Sequence, residues 1–166
     1  MHAIEKLLAA KSQREEVHAG EIVNCDIDYV GINDLYYQTV KSFYEMGGKQ
    51  VVHPERVILF FDHYAPCATE KQADNHKRFR AFAKEQGITH VMDIDKGVCH
   101  QLMADYGFSK PGEIVVITCN HGLSYDDPRC LRCFWNGCGR IGSCCHYGNW
   151  KTLVYGPQGY SYQSNG

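Results

Sequence analysis

The pattern of hydrophobic and polar positions predicts alternating strands and helices over residues 1–125. The run RVILFF at 56–61 is apolar without interruption after Arg56, which is typical of a strand buried on both faces. Residues 21–32 (EIVNCDIDYVGI) are rich in β-branched and apolar residues, so we predict a single strand there. The segments ITHVMDI (88–94) and EIVVIT (113–118) complete a set of four predicted strands.

Helices are predicted between these strands. An amphipathic helix covers the start of the chain, and a second helix follows Asn33 or Asp34, either of which can cap it. Thr69 and Gln72 have the spacing of a capping box and predict the start of a third helix, which ends at Gly87. A short fourth helix precedes the last strand. This alternation predicts a three-layer α/β/α fold, with a mostly parallel sheet and helices on both faces.

The composition changes abruptly after Tyr125. Residues 126–166 contain no Ala, Glu or Met, yet they hold both tryptophans and seven of the sixteen glycines. Five of the nine cysteines also fall there. We therefore divide the chain into a partial α/β/α domain at 1–125 and an irregular, disordered Cys/Gly-rich tail at 126–166.

Charge and hydropathy exclude two classes of partner. The net charge is −2 and the isoelectric point is about 6.5, so no basic field exists to bind a nucleic-acid backbone. No apolar run approaches the roughly 20 residues of a membrane-spanning helix. The first residues include Glu5 and lack a small-residue cleavage site, which is not the pattern of a signal peptide. We expect a cytoplasmic protein.

Polar side chains follow each predicted strand. In open parallel sheets, ligands bind beyond the carboxyl ends of the strands. The residues at those ends are Asn33, Asp34, Asp62, His63, His100, Cys119, Asn120 and His121. Histidines and carboxylates at one edge are suited to proton transfer and to binding a polyanionic small molecule. Each also has a structural interpretation when taken singly: a helix cap, a turn former or a core histidine. We interpret His53 and His76, which lack such neighbours, as structural or solvated.

A series of short motifs identifies a family resemblance. The motifs are FDH, AxNH, FAKEQGI, GVCHQ and KPGE, in this order between residues 61 and 113. They resemble the large subunits of 3-isopropylmalate dehydratase and homoaconitase, and the resemblance covers about residues 2–125. It implies an α/β/α domain of a larger hydro-lyase that moves water across a double bond of a 2-hydroxy acid. It also implies a [4Fe–4S] cluster whose open iron acts as a Lewis acid, and a separate small subunit that completes the site.

The resemblance assigns roles residue by residue. The catalytic candidates are Asp62, His63, His100 and His121, and the substrate-binding candidates are Asn33, Asp34 and Asn120. Where the family has Asp-Ser-His, this chain has Cys119-Asn120-His121. The family's three cluster cysteines lie downstream of the matched region, so we expect no metal ligand among the matched residues.

The Cys-rich tail has two interpretations. The pair Cys130-x-x-Cys133, with four further Cys and His residues, is a zinc-site pattern. Alternatively, a one-base frame shift near residues 126–128 gives the tail, because shifted synonymous codons for residues 128–158 can encode the stretch that the family shows next. We favour the frame shift and expect this chain to be inactive.

Two other functions stay open. One is a small α/β binding module with a zinc tail, and the other is an inactive paralogue that binds the small subunit. The sequence does not choose among isopropylmalate, homoaconitate and dimethylmalate as the substrate of the parent enzyme. It does not fix the oligomeric state.

Overall fold

A computed structural model describes residues 3–18, 21–118, 134–137 and 151–155. The helices in these ranges are α1 (Ala3–Ser12), α2 (Tyr37–Glu45), α3 (Glu70–Gln86) and α4 (Cys99–Asp105). The strands are β1 (Ile22–Asp26), β2 (Tyr29–Asn33), β3 (Val57–Phe60), β4 (His90–Met92), β5 (Ile114–Thr118), β6 (Phe134–Gly137) and β7 (Lys151–Tyr155). Short 3-10 helices lie at Asp34–Tyr36 and Pro54–Arg56.

Five of the strands form a parallel sheet in the order β4-β3-β2-β5-β6. The chain builds outward from β2 through β3 to β4, and then returns to place β5 on the other side of β2. The strand order therefore reverses between β2 and β5. In open parallel sheets this reversal leaves a crevice at the carboxyl ends of the strands, where ligands bind.

Both faces of the sheet are covered by helices. Alternate residues of β3 point to opposite faces: Val57 and Leu59 pack with buried residues of α2 and α3, whereas Ile58 and Phe60 pack with α4. Two hydrophobic cores thus flank one sheet, which explains the uninterrupted apolar run of β3. The predicted α/β/α fold with a mostly parallel sheet is confirmed.

The centre of the sheet contains a glycine where the packing leaves no room. A Cβ atom on Gly31 would lie 2.9 Å from Cγ1 of Ile117 and 3.1 Å from Cε2 of Phe60. The 2.9 Å contact is shorter than real Cβ atoms show, and the 3.1 Å contact is tight, so the neighbouring atoms would have to shift. Gly31 therefore lets β5 and β3 side chains meet across β2 on the α4 face.

The third helix begins and ends as the sequence predicts. The Thr69 hydroxyl accepts a hydrogen bond from the Gln72 N–H at 3.3 Å, and Oε1 of Gln72 accepts one from the Thr69 N–H at 3.1 Å. This reciprocal pair is the predicted capping box. Gly87 ends the helix in the left-handed conformation, with φ 71°.

The single strand predicted at residues 21–32 is wrong. The structure divides it into β1, which pairs antiparallel with β7, and β2, which lies in the centre of the parallel sheet. Asp28 lies at the break, where Oδ2 accepts a bond from the Ile114 N–H at 2.7 Å and Oδ1 bonds Nζ of Lys11 at 2.6 Å. These bonds hold the Asp28 side chain against Lys11 and Ile114, and the strand is interrupted at this residue.

The tail contributes two strands to what the structure describes. There β6 pairs parallel with β5, and β7 pairs antiparallel with β1. The rest of residues 126–166 lies outside the described residues, so the irregular tail stays a prediction. The candidate zinc ligands lie outside the described residues: Cys130, Cys133, Cys138, Cys144, Cys145 and His146. None of the helices in the described ranges is long and apolar enough to cross a membrane.

Candidate functional site

Three of the predicted site residues meet at the carboxyl edge of the sheet. Ligand atoms of Asp34, Asp62 and His63 all lie within 4.8 Å of one another. Asp34 follows β2 directly, and the other two residues follow β3. Because β2 and β3 are parallel neighbours, their carboxyl ends meet at the same edge, beside the point where the strand order reverses.

Asp34 is buried and accepts three hydrogen bonds. Its Oδ1 accepts from the His63 N–H at 3.2 Å, and its Oδ2 accepts from the Tyr64 N–H at 2.9 Å. The same Oδ2 lies 2.9 Å from Nε2 of His76 on α3. The alternative interpretation of Asp34 as a helix cap is therefore wrong: its carboxylate holds the loop after β3, and the three donors compensate the cost of its burial.

Asp62 and His63 form a second carboxylate–imidazole pair. Oδ1 of Asp62 lies 2.7 Å from Nδ1 of His63, and Oδ2 accepts a bond from the Cys99 N–H at 2.7 Å. The Asp62 side chain is 3% exposed and that of His63 is 30% exposed. An ionised carboxylate only accepts, so Nδ1 of His63 carries a proton and Nε2 of the neutral ring keeps its lone pair. A histidine held in one tautomer by a carboxylate is suited to proton transfer.

The three residues resemble an acid–base group more than a metal site. Both oxygens of Asp34 and both oxygens of Asp62 already accept hydrogen bonds from protein donors. Nδ1 of His63 also lies 3.5 Å from Oδ1 of Asp34. A cation bound here would have to displace several of these bonds, whereas a proton acceptor or donor at Nε2 of His63 would disturb none.

The side-chain amide of Asn33 is a candidate binding group. Asn33 is the last residue of β2 and is fully buried, and neither Oδ1 nor Nδ2 has a hydrogen-bond partner within the described part of the chain. Buried amides are nearly always paired. An amide of this kind at the strand-order reversal is in place to bind a polar ligand or another segment of the enzyme. Its role in substrate binding remains a prediction.

The other predicted site residues have different outcomes. His100 is the second residue of α4, and its Nδ1 lies 3.3 Å from the Cys99 sulfur, next to the N–H that Asp62 accepts from. It is therefore a neighbour of the group through Cys99. Asn120 and His121, together with Cys119, follow β5 and lie outside the described residues.

The sequence analysis missed His76 as a member of this group. It is 3% exposed and bonded to Asp34, whereas His53 lies 3.1 Å from Glu55 on the exposed side of its turn. A signal was present: His76, Phe79 and Ala83 have the spacing of one buried helix face. That spacing could have placed the imidazole towards the sheet.

Comparison with known proteins identifies relatives along most of the chain. No protein-family model matches it. The 3-isopropylmalate dehydratase large subunit of Methanoregula boonei is 44% identical over 123 residues, which is 74% of this chain and 29% of that protein. The 3-isopropylmalate dehydratase large subunit 1 of Methanopyrus kandleri is 33% identical over an alignment of 167 residues. That alignment covers 98% of this chain and 38% of that protein. The probable methanogen homoaconitase large subunit of Methanothermobacter thermautotrophicus is 33% identical over 130 residues, covering 75% and 30%.

The fold and the site define an α/β/α domain with a carboxylate–histidine group at the carboxyl edge of a parallel sheet. With these relatives, the chain belongs to the family of 3-isopropylmalate dehydratase large subunits, within the aconitase-type proteins. It spans between 29% and 38% of the length of the relatives named here.

Proposed function

We propose that this chain is the amino-terminal part of a hydro-lyase large subunit that dehydrates or isomerises a 2-hydroxy acid. The observation that carries the proposal is the convergence of Asp34, Asp62 and His63 at the strand-order reversal. The relatives' names give 3-isopropylmalate or homoaconitate chemistry as the reaction class. On this proposal the parent enzyme is cytoplasmic, serves amino-acid biosynthesis such as that of leucine, and assembles with a small subunit.

Each residue of the group has a distinct role in the proposed reaction. His63, fixed by Asp62, exchanges a proton through Nε2 with the substrate or with the water that is removed. Asp34 is a positioning residue, because it holds the backbone of His63 and Tyr64. The amide of Asn33 binds a hydroxyl or carboxylate oxygen of the substrate.

The described residues do not fit an iron–sulfur cluster. Three cysteines lie among them, and Cys25 and Cys99 are buried in different hydrophobic clusters while Cys67 lies beside His76. Their thiolates therefore do not converge on one point. The group at the sheet edge also holds two carboxylates, which repel an anionic substrate. On this proposal, positive charge and the ligands of any [4Fe–4S] cluster come from outside the described residues.

A separate part of the proposal concerns the tail, residues 126–166. We infer that residues from about 126 onward are read out of frame, and that the 166-residue chain alone is inactive. Sequencing the coding DNA from the Thr118 codon past Gly166 tests this point. A long frame opened by a one-base shift and encoding three further cysteines supports it, and a closed frame contradicts it.

A chimeric enzyme tests the function of the group. Residues 1–125 of this chain would replace the matching segment of the Methanoregula boonei large subunit, which would be produced with its small subunit and assayed for 3-isopropylmalate turnover. We expect turnover, and we expect His63→Gln to lower kcat by about 10²- to 10⁴-fold, the usual contribution of a general acid–base group. His53→Gln is the matched control, because His53 precedes β3 at the opposite edge of the sheet. Equal activity of the two variants would overturn the assignment.

A further inference from the structure

The loop between β4 and α4 contains a glycine in a backbone conformation that other residues rarely adopt. Gly97 has φ 123°, a value at which an L side chain strains the backbone. It lies two residues before Cys99, the first residue of α4. The first turn of the helix follows at once, because the Leu102 N–H donates a hydrogen bond to the Val98 carbonyl oxygen at 3.0 Å. The chain therefore turns into α4 at this glycine.

Lack of space does not explain the glycine at position 97. Among the described residues, the nearest atom to a Cβ built there, apart from its chain neighbours, is Cδ2 of Leu102 at 3.9 Å. That distance is an ordinary van der Waals contact, whereas a Cβ on Gly31 would collide with Ile117. The requirement at position 97 is therefore the backbone angle itself.

The backbone amide two residues after Gly97 reaches the candidate site. The Cys99 N–H donates to Oδ2 of Asp62 at 2.7 Å, while Oδ1 of Asp62 lies 2.7 Å from Nδ1 of His63. The Asp62 side chain is only 3% exposed, so water has little access to replace a lost donor. The Cys99 amide therefore holds one oxygen of the carboxylate whose other oxygen orients His63.

Both ends of this loop are fixed to the rest of the domain. At its start, the Asp93 carboxylate accepts two hydrogen bonds from the Arg80 guanidinium. At its end, the Cys99 side chain is fully buried in the hydrophobic cluster on the α4 face. A rotation that relieves the strain of a side chain at Gly97 must therefore occur between these two points, where it turns the peptide that carries the Cys99 N–H.

We propose that Gly97 is a positioning residue for the Asp62–His63 pair. Its positive φ directs the Cys99 N–H towards Oδ2 of Asp62, and this bond holds the carboxylate where it fixes the ring of His63. The inference rests on the proposed hydro-lyase function, because any effect of Gly97 on turnover passes through Asp62 and His63. Its effect on the Cys99 amide can be measured without turnover.

Hydrogen exchange in the full 166-residue chain tests the geometry. NMR measures the exchange rate of the Cys99 amide, which we expect to be slow in the wild type and at least about tenfold faster in Gly97→Ala, because its acceptor is displaced. Gly112→Ala is the matched control. Gly112 also has a positive φ, 90°, with no atom within 4 Å of an added Cβ, and it lies between α4 and β5 at the opposite edge of the sheet. Gly112→Ala should leave the Cys99 rate unchanged.

Two results of this experiment would overturn the inference. The first is an equally slow Cys99 amide in Gly97→Ala and in the wild type. The second is loss of slow exchange at the core residues Val116 and Ile117 in Gly97→Ala but not in Gly112→Ala, because position 97 would then serve the whole fold and not the pair.

A double-mutant cycle in the chimeric enzyme, produced with its small subunit, tests the consequence for turnover. Gly97→Ala should lower kcat by up to about 100-fold, the effect of a slightly misplaced catalytic group. In the Asp62→Asn background the same substitution should lower kcat by less than about twofold, because the carboxylate through which Gly97 acts is already lost. Gly112→Ala should leave kcat unchanged in both backgrounds.

The outcomes separate this inference from the proposed function. If Asp62→Asn and His63→Gln keep the wild-type kcat, the proposed function fails, and the role of Gly97 in turnover fails with it. If those two variants lower kcat but Gly97→Ala lowers it by the same factor with and without Asp62, Gly97 has only a structural role. That result overturns this inference and leaves the proposed function intact.

Discussion

The backbone N–H of Asn33 donates a hydrogen bond to the hydroxyl oxygen of Thr118 at 2.9 Å. The last ladder pair between β2 and β5 is Ile32 with Thr118, so this bond adds one more rung with a side chain. Both residues are fully buried. The bond fixes the two strands at the point where the strand order reverses, and it fixes the backbone that carries the side-chain amide of Asn33.

Replacing Thr118 by valine should destabilise the domain. The isosteric change leaves the Asn33 N–H buried without its partner, which costs about 1–3 kcal/mol. Urea unfolding measures the loss. Thr118→Ser keeps the hydroxyl and should cost less than Thr118→Val. Equal stability of Thr118→Val and the wild type would show that another acceptor replaces the hydroxyl.

Removing the Asp34 carboxylate should destabilise the domain more than Thr118→Val does. Asp34→Ala leaves two backbone N–H groups and Nε2 of His76 without an acceptor in a buried place. We expect a loss of about 3–5 kcal/mol, as for other broken buried pairs. Asp34→Asn keeps the side-chain volume and one carbonyl acceptor, so it should lose less stability than Asp34→Ala. Thermal unfolding followed by circular dichroism compares the two, and the reverse order would contradict this account.

Gly31→Ala should overpack the α4 face of the sheet. The added methyl would collide with Ile117 and Phe60, and we expect a cost of about 1–3 kcal/mol. Ile117→Ala provides the space, so the double variant should be less destabilised than the sum of the two single variants. A double-mutant cycle from urea unfolding gives this coupling. Additive effects would show that the backbone, and not Ile117, absorbs the methyl.

The Arg80–Asp93 pair should make stability depend on pH. Arg80 donates through Nε at 2.8 Å and through a second nitrogen, and this bonding lowers the pKa of Asp93. A carboxyl pKa that is lower in the folded state stabilises the fold above the unfolded value of about 3.9. That contribution is lost as the pH falls through the lower folded pKa.

The stabilisation from this pair should be small, because the Arg80 and Asp93 side chains are 43% and 36% exposed. We expect Asp93→Asn to cost about 0.5–1 kcal/mol at pH 7, less at high salt, and nothing at acidic pH below the folded pKa. Urea unfolding at several pH values measures the difference. Asp95→Asn, at a more exposed carboxylate, is the matched control. A cost for Asp93→Asn that persists in acid would contradict the assignment.

Local sequence was sufficient for the elements whose signals are local. The capping box of Thr69 and Gln72 and the stop at Gly87 depend on residues within one helical turn, and both are confirmed. The apolar run of β3 predicted a strand buried on both faces. This prediction implied the parallel sheet and the helix layer on each side of it, which the structure has. The motif series identified the family, and the strand ends located Asp62 and His63 at one edge.

Tertiary structure decided what depends on pairs far apart in the chain. Asp28 divides the predicted first strand because Ile114 and Lys11 bond its carboxylate, and neither is a sequence neighbour. Asp34 and His76 are 42 residues apart in the chain. The sequence suggested a helix cap for the first and a structural or solvated histidine for the second, whereas the structure bonds them to each other.

The sequence by itself therefore determined the class of fold, the family and the edge of the sheet where the candidate site lies, since these follow from hydrophobic period, capping and motif order. Only the tertiary structure decided which polar atoms are partners. A side chain's donors and acceptors are satisfied by whatever lies nearest in space, and the strand order that sets those neighbours is not written in any local pattern.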